Sequence, residues 1–169
     1  PCFAMPAVAM REPRALEAPV RMSGEVVKGF GRGSKVLGIP TANLPHDALK
    51  QLPRSFETGI YFGWATVDGV GPYKMVTSVG WNPQFANTSM TVEPHLLHSF
   101  PDDFYGSSIK IVIVGHLRAE AKFESLESLI DEIHLDISSA GELLDCEPYS
   151  FLRFDEFLFS LSSSSASAS

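Results

Sequence analysis

The side chains best suited to chemistry fall in two places: Thr41 and Asn43 close a glycine-rich stretch, and Glu93 stands alone much later. The stretch reads Gly29-Phe-Gly-Arg-Gly-Ser-Lys-Val-Leu-Gly-Ile-Pro-Thr-Ala-Asn43, and five of the chain's thirteen glycines lie between Gly24 and Gly38. Glycine lets successive backbone N–H groups line an anion site, and Arg32 and Lys35 add positive charge beside them. On alternate residues of an extended segment, Thr41 and Asn43 present a hydroxyl and an amide carbonyl to one side. Such oxygen donors suit a hard cation like magnesium, which keeps waters and accepts phosphate oxygens as further ligands. The combination reads as a phosphate and metal cradle. The plainer alternative is a turn between strands in which Thr41 and Asn43 bond the backbone.

Two better-known phosphate motifs do not fit. A Walker A loop needs Gly-Lys-Ser/Thr where residues 33–35 run Gly-Ser-Lys, and the dinucleotide fingerprint needs a glycine where Ser34 stands. Both also open a helix, and nothing directly after Asn43 has helical periodicity. Glu93, in Thr91-Val-Glu-Pro-His95, lies mid-strand among apolar neighbours, where a carboxylate is costly unless it is paired, liganded or used. An exposed edge-strand glutamate is the alternative. His95 and His98 are three residues apart on a strand, face opposite sides, and are read as structural. Cys2 and Cys146 lack the spacing of a metal clip or disulfide framework; they suit a reducing compartment, and neither is taken as a nucleophile.

Stepping outward, these residues need a scaffold of strands. Val20–Lys28 has a β-compatible pattern and feeds the glycine loop, and Leu44–Thr58, with Pro45 and Pro53, is an irregular connection. Gly59–Val67 and Tyr73–Gly80 flank Asp68-Gly-Val-Gly71 as a hairpin; Trp81–Thr88 is a loop, Thr91–Phe100 a strand with Pro94 at an edge or bulge, and Ile109–Arg118 the most strand-like run. Hairpin-scale spacing gives five or six antiparallel strands, which fit a small closed barrel. From Ser125, read as the N-cap, Leu126, Leu129, Ile130, Ile133, Ile137 and Leu144 fall at helical spacing with Glu127, Asp131, Glu132 and Asp136 mostly elsewhere, so an amphipathic helix covers the barrel up to Pro148. Phe151, Phe154, Phe157 and Phe159 are expected to pack onto the core. With 169 residues one domain is expected. The net charge of -7 disfavours nucleic acid, and no apolar run approaches the roughly 20 residues that span a bilayer. A cytoplasmic monomer with no membrane partner is expected, with organellar targeting left open.

The residues Gly29-Phe-Gly-Arg-Gly-Ser-Lys35, Leu37-Gly-Ile-Pro-Thr-Ala-Asn43, Thr58-Gly-Ile-Tyr61, Gly80-Trp-Asn-Pro83, Glu93-x-His95, Asp103-Phe-Tyr-Gly106 and Phe123-x-Ser-Leu-Glu-Ser-Leu129 together resemble the eukaryotic riboflavin kinase family, over about Val20 to Tyr149. The resemblance implies a mainly β fold, a six-stranded antiparallel Greek-key barrel with a C-terminal covering α-helix. It also implies transfer of the ATP γ-phosphate to the 5′-hydroxyl of riboflavin, giving FMN and ADP. On that resemblance Glu93 is the catalytic base, Thr41 and Asn43 meet Mg2+ and the nucleotide phosphates, and Gly29 and Lys35 belong to the surrounding ATP loop. Arg118 and the nearby helix start are suggested for the flavin side. Residues 1–18 would form an N-terminal arm, 19–161 the riboflavin kinase domain, and 162–169 a disordered Ser/Ala tail. With so few residues before the first strand, a second nucleotidyl-transfer activity is not expected. Pro94, after the expected base, and the Ser/Ala tail depart from the family pattern. A non-catalytic flavin- or nucleotide-binding barrel is the alternative, and an oligonucleotide-binding barrel is disfavoured by the acidic balance.

Overall fold

A computed structural model of the chain describes residues 11–29, 38–81 and 89–161. Five antiparallel strands form one sheet in the order β1-β5-β2-β3-β4: β1 (Arg14–Glu25), β2 (Gly59–Val67), β3 (Val70–Trp81), β4 (Met90–Leu96) and β5 (Ser108–Arg118). The β2–β3 hairpin turns at Asp68 (φ 49°) and Gly69 (φ 78°), both left-handed, with Val67 paired to Val70. An Asp-Gly pair adopts this two-residue turn, whose twist matches that of the strands, at little cost.

β5 is central and buried on both faces, which is why it reads as a continuous apolar run rather than an alternating one. Ile109, Ile111 and Ile113 meet Met22, Met75, Val79 and Val92 on the concave side. Val112, Val114 and Leu117 meet Phe62, Trp64, Val76 and the helical layer on the other. That layer begins with α1 (Leu126–Leu143), capped by Ser125: its Oγ accepts from Ser128 N at 3.1 Å while Ser128 Oγ accepts from Ser125 N at 3.2 Å. The last turn of α1 holds no basic residue; Lys74 of β3 supplies the charge, donating to Gly141 O at 2.8 Å and to Asp145 at 2.6 Å. A 3-10 turn (Tyr149–Phe154) and the short α2 (Glu156–Phe159) follow, held by Trp64 Nε1 donating to Tyr149 O at 2.9 Å and Thr66 Oγ1 to Leu158 O at 2.7 Å.

Several expectations need correction. The antiparallel sheet and covering helix are present, but the sheet has five strands among the described residues and no sixth strand closes it into a barrel. The candidate sixth piece, residues 41–44, is confined between Pro40 and Pro45, and its neighbour Pro94 on β4 has no N–H to donate, so a full ladder cannot form. β1 begins at Arg14, inside the stretch read as an arm. On α1 it is Glu132, Asp136 and Ala140 that are buried, whereas Leu126 is exposed. Phe151, Phe154 and Phe159 are exposed as well, and Leu158 is the residue of α2 that enters the core. Lys35, Arg32, Cys2, most of the Trp81–Thr88 loop and the Ser/Ala tail lie outside the described residues. Among the described residues no helix is long and apolar enough to cross a membrane.

Candidate active site

The short segment after the glycine loop is built by core packing. Ala42 and Leu44 enter the concave core, so Thr41 and Asn43, alternate to them, point the other way and stay half-buried. Ala42 N donates to Pro94 O at 2.7 Å and Leu44 N to Val92 O at 3.3 Å, an antiparallel register that sets Asn43 opposite Glu93 and Thr41 opposite His95. Across the segment, Val27 N donates to Asn43 O at 3.0 Å. Three stretches distant in sequence thus meet: the end of β1, residues 41–44 and β4. Gly29 completes this corner, since a methyl group there would lie 2.4 Å from Asn43 Nδ2; only bare backbone fits against the amide. That amide reaches Thr41 O at 3.5 Å, a long contact.

β4 alternates Val92, Pro94 and Leu96 inward with Glu93 and His95 outward. No hydrogen bond or ion pair from the described residues reaches the half-buried Glu93 carboxylate. Glu93 pairs with Ser78, Ser78 with Ile60 and Ile60 with Arg118, so one row on the outer face runs from the carboxylate to the end of β5. His95 Nδ1 lies 2.7 Å from Pro40 O, and because a carbonyl only accepts, Nδ1 carries the proton. Burial lowers the pKa of His95, the bond to Pro40 opposes that, and the nearby His134 of α1 lowers it further.

Arg118 is 3% exposed and spends its donors within the chain. Its Nε and Nη2 donate to Asp136 at 2.9 and 2.7 Å, its Nη1 donates to Ala119 O at 3.0 Å, and Glu132 lies 3.6 Å away. Arg11 reaches the same two carboxylates, at 2.5 Å for Glu132 and 3.1 Å for Asp136. The Arg118 guanidinium also stands 5.8 Å from the Phe123 ring centre. The middle of α1 is thereby clamped to Arg118 at the end of the row that begins at Glu93. A separate feature is His116, two residues before Arg118 on β5, its ring edge-on to Tyr61 and its Nδ1 buried without a partner among the described residues.

Residues 16–144 match the family model described as "Flavokinase: Riboflavin kinase". The chain belongs to the riboflavin kinase family. A mouse riboflavin kinase is 49% identical over 82% of this chain and 90% of its own length. An Arabidopsis thaliana protein, "Bifunctional riboflavin kinase/FMN phosphatase", is 50% identical over 83% of this chain and 37% of its own length. The crystal structure of riboflavin kinase from Trypanosoma brucei superposes with a TM-score of 0.69 at 32% identity, covering 86% of this chain and 92% of that one. The enzyme class implied by the resemblance, ATP:riboflavin 5′-phosphotransferase, follows from this membership.

Within this riboflavin kinase fold, Glu93, Thr41, Asn43 and Gly29 come together in one corner, whereas Arg118 sits along the same face in a saturated ion cluster. Lys35 lies outside the described residues. Sequence reading missed Arg11, Glu132 and Asp136. Their signal was faint: two carboxylates four residues apart on α1, beside an otherwise apolar stripe, with the cations that offset them far away in the chain. It also took His95 as structural without its link to Pro40.

Proposed function

We propose that this chain transfers the γ-phosphate of ATP to the 5′-hydroxyl of riboflavin, with Glu93 as catalytic base. The observation that carries this reading is the register that sets Asn43 opposite Glu93: a carboxylate with no partner among the described residues, beside an oxygen-donor segment next to a glycine-rich loop. A ribityl alcohol is a weak nucleophile, and a carboxylate within reach accepts its proton as the O–P bond to the γ-phosphorus forms and the bond to the β,γ-bridging oxygen breaks, releasing ADP.

The donors around Asn43 fit a magnesium ion. The Asn43 carbonyl oxygen and Thr41 hydroxyl are hard oxygen ligands, and among the described residues no three His, Cys, Asp or Glu side chains gather to offer a competing cage. Thr41 and Asn43 would hold the ion with the nucleotide phosphates, while Gly29 and Lys35 border the triphosphate. Bound there, magnesium would neutralise charge on the phosphate oxygens. Backbone donors of the glycine loop would serve the same end without reorganising. Arg118 serves the flavin side through α1 and Phe123 rather than through a free guanidinium, since its donors are already engaged. A cytoplasmic monomer working on riboflavin/FMN and ATP/ADP is the accompanying reading; the cysteine usage suits a reducing compartment, and the acidic charge disfavours nucleic acid as a partner.

Incubation with riboflavin, ATP and magnesium, followed by chromatography, should give FMN and ADP in equal amounts. Glu93→Gln should lower turnover by about 10²–10⁴-fold while riboflavin binding, read by quenching of flavin fluorescence, persists. Riboflavin bound with no FMN formed by the unsubstituted chain would replace this reading with a non-catalytic binding barrel. Near-normal turnover in Glu93→Gln would remove the base assignment alone.

A further inference from the structure

We infer that His95 is a positioning residue that fixes the magnesium-nucleotide half of the site to the strand carrying the base; this rests on the proposed kinase reading. Between Pro40 and Leu44 the chain is tied to β4 by Ala42 N to Pro94 O at 2.7 Å, Leu44 N to Val92 O at 3.3 Å and His95 Nδ1 to Pro40 O at 2.7 Å. Both backbone bonds lie C-terminal to Thr41; among the described residues the tie to β4 on its N-terminal side is the His95 bond to Pro40 O. Pro40 cannot donate, and Pro94 cannot return a bond to the segment, so the ladder that would ordinarily continue past Ala42 stops there. The His95 side chain replaces it, gripping the carbonyl immediately before Thr41.

The geometry has a chemical consequence. Thr41 lies opposite His95 and Asn43 opposite Glu93, so the spacing of two residues along β4 is copied onto the two oxygen donors. With Pro40 held, the hydroxyl and the amide stay in register with the Glu93 carboxylate. With Pro40 released, the bonds of Ala42, Leu44 and Val27 still hold the C-terminal side of Thr41, but its N-terminal side loses its tie to β4. Holding ligand groups before the substrate arrives lowers the ordering cost of binding, so the loss should fall on the magnesium-nucleotide complex rather than on riboflavin.

His95→Ala, His95→Asn and His95→Gln separate this role from a general structural one. Asparagine places an N–H near the position of Nδ1 and can still donate to Pro40; glutamine reaches toward the position of Nε2 and cannot. Two equilibrium measurements are made on each full-length variant: affinity for Mg·ADP by calorimetry and affinity for riboflavin by fluorescence quenching. Turnover with ATP is measured beside them. Loss of one hydrogen bond to the Pro40 carbonyl predicts about tenfold weaker Mg·ADP binding and a matching rise in KM for ATP in the alanine and glutamine variants. Riboflavin affinity should change less than about twofold, and asparagine should recover most of the loss. Equal weakening of both ligands, unchanged Mg·ADP affinity in His95→Ala, or glutamine rescuing as well as asparagine would overturn the proposal. If the alanine variant does not fold, the asparagine and glutamine pair decides by the same criteria. An unsubstituted chain that binds both ligands but makes no FMN would refute the kinase reading while the two binding measurements still judge the role of His95.

Discussion

Replacing Arg118 with methionine removes one of two cations from a buried cluster of four charges. Arg11 and Arg118 balance Glu132 and Asp136, so the substitution leaves one uncompensated negative charge in a place where Asp136 is 2% and Glu132 3% exposed. Breaking one side of a buried ion pair costs about 3–5 kcal/mol. Arg11 still touches both carboxylates and its side chain is 18% exposed, so the lower end, about 3 kcal/mol, is expected. For a chain of this size that is a fall in Tm of roughly 6–12 °C. Urea unfolding followed by circular dichroism measures it, with the slope against denaturant checking that the unfolding transition stays comparable. Adding Asp136→Leu removes the stranded charge and leaves Arg11 facing Glu132 alone. The double variant should recover at least about 1 kcal/mol relative to the sum of the single variants. A loss below about 1 kcal/mol in Arg118→Met, or strictly additive single variants, would refute the picture of a buried, mutually dependent cluster.

Thr41→Ala should raise the magnesium concentration needed for half-maximal FMN formation while leaving riboflavin affinity unchanged; an unaltered magnesium dependence would remove Thr41 from the ligand set. Gly29→Ala forces a methyl to within 2.4 Å of Asn43 Nδ2, so the amide must move, and Mg·ADP binding measured by calorimetry should weaken with little change in Tm. Stability should fall on acidification below about pH 6.5, because burial lowers the pKa of His116 below its unfolded value. A group whose folded pKa is depressed contributes fully above the unfolded value and loses that contribution as pH drops through the folded one. His116→Gln should flatten the pH dependence seen in urea titrations between about pH 7.5 and 5, and a chain that grows more stable on acidification would contradict it. His95 contributes in the same sense, so the flattening should be partial.

The parts of this molecule that follow short-range rules were legible from the residues alone. Asp68-Gly69 makes the hairpin, Ser125 caps α1, and the alternation Thr41-Ala42-Asn43-Leu44 presents two oxygen donors on one side because its other members are apolar. In each case the deciding contact lies within a few residues, so composition and spacing carry the information. Family resemblance added the order of the parts and the riboflavin kinase activity of the family.

Tertiary structure decided what depends on partners distant in sequence. Only folding sets Asn43 opposite Glu93, through backbone bonds between residues 42–44 and β4, and only folding sets Pro94, which has no N–H to return, opposite Ala42 in a segment already bounded by Pro40 and Pro45. Glu132 and Asp136 read as solvated helix charges until Arg118 and Arg11 arrive from the end of β5 and from ahead of β1 to pair with them in the interior. A hydrogen bond or a charge pair of this kind leaves no periodic trace in the sequence. Its strength depends on burial, and burial is a property of the whole packed chain.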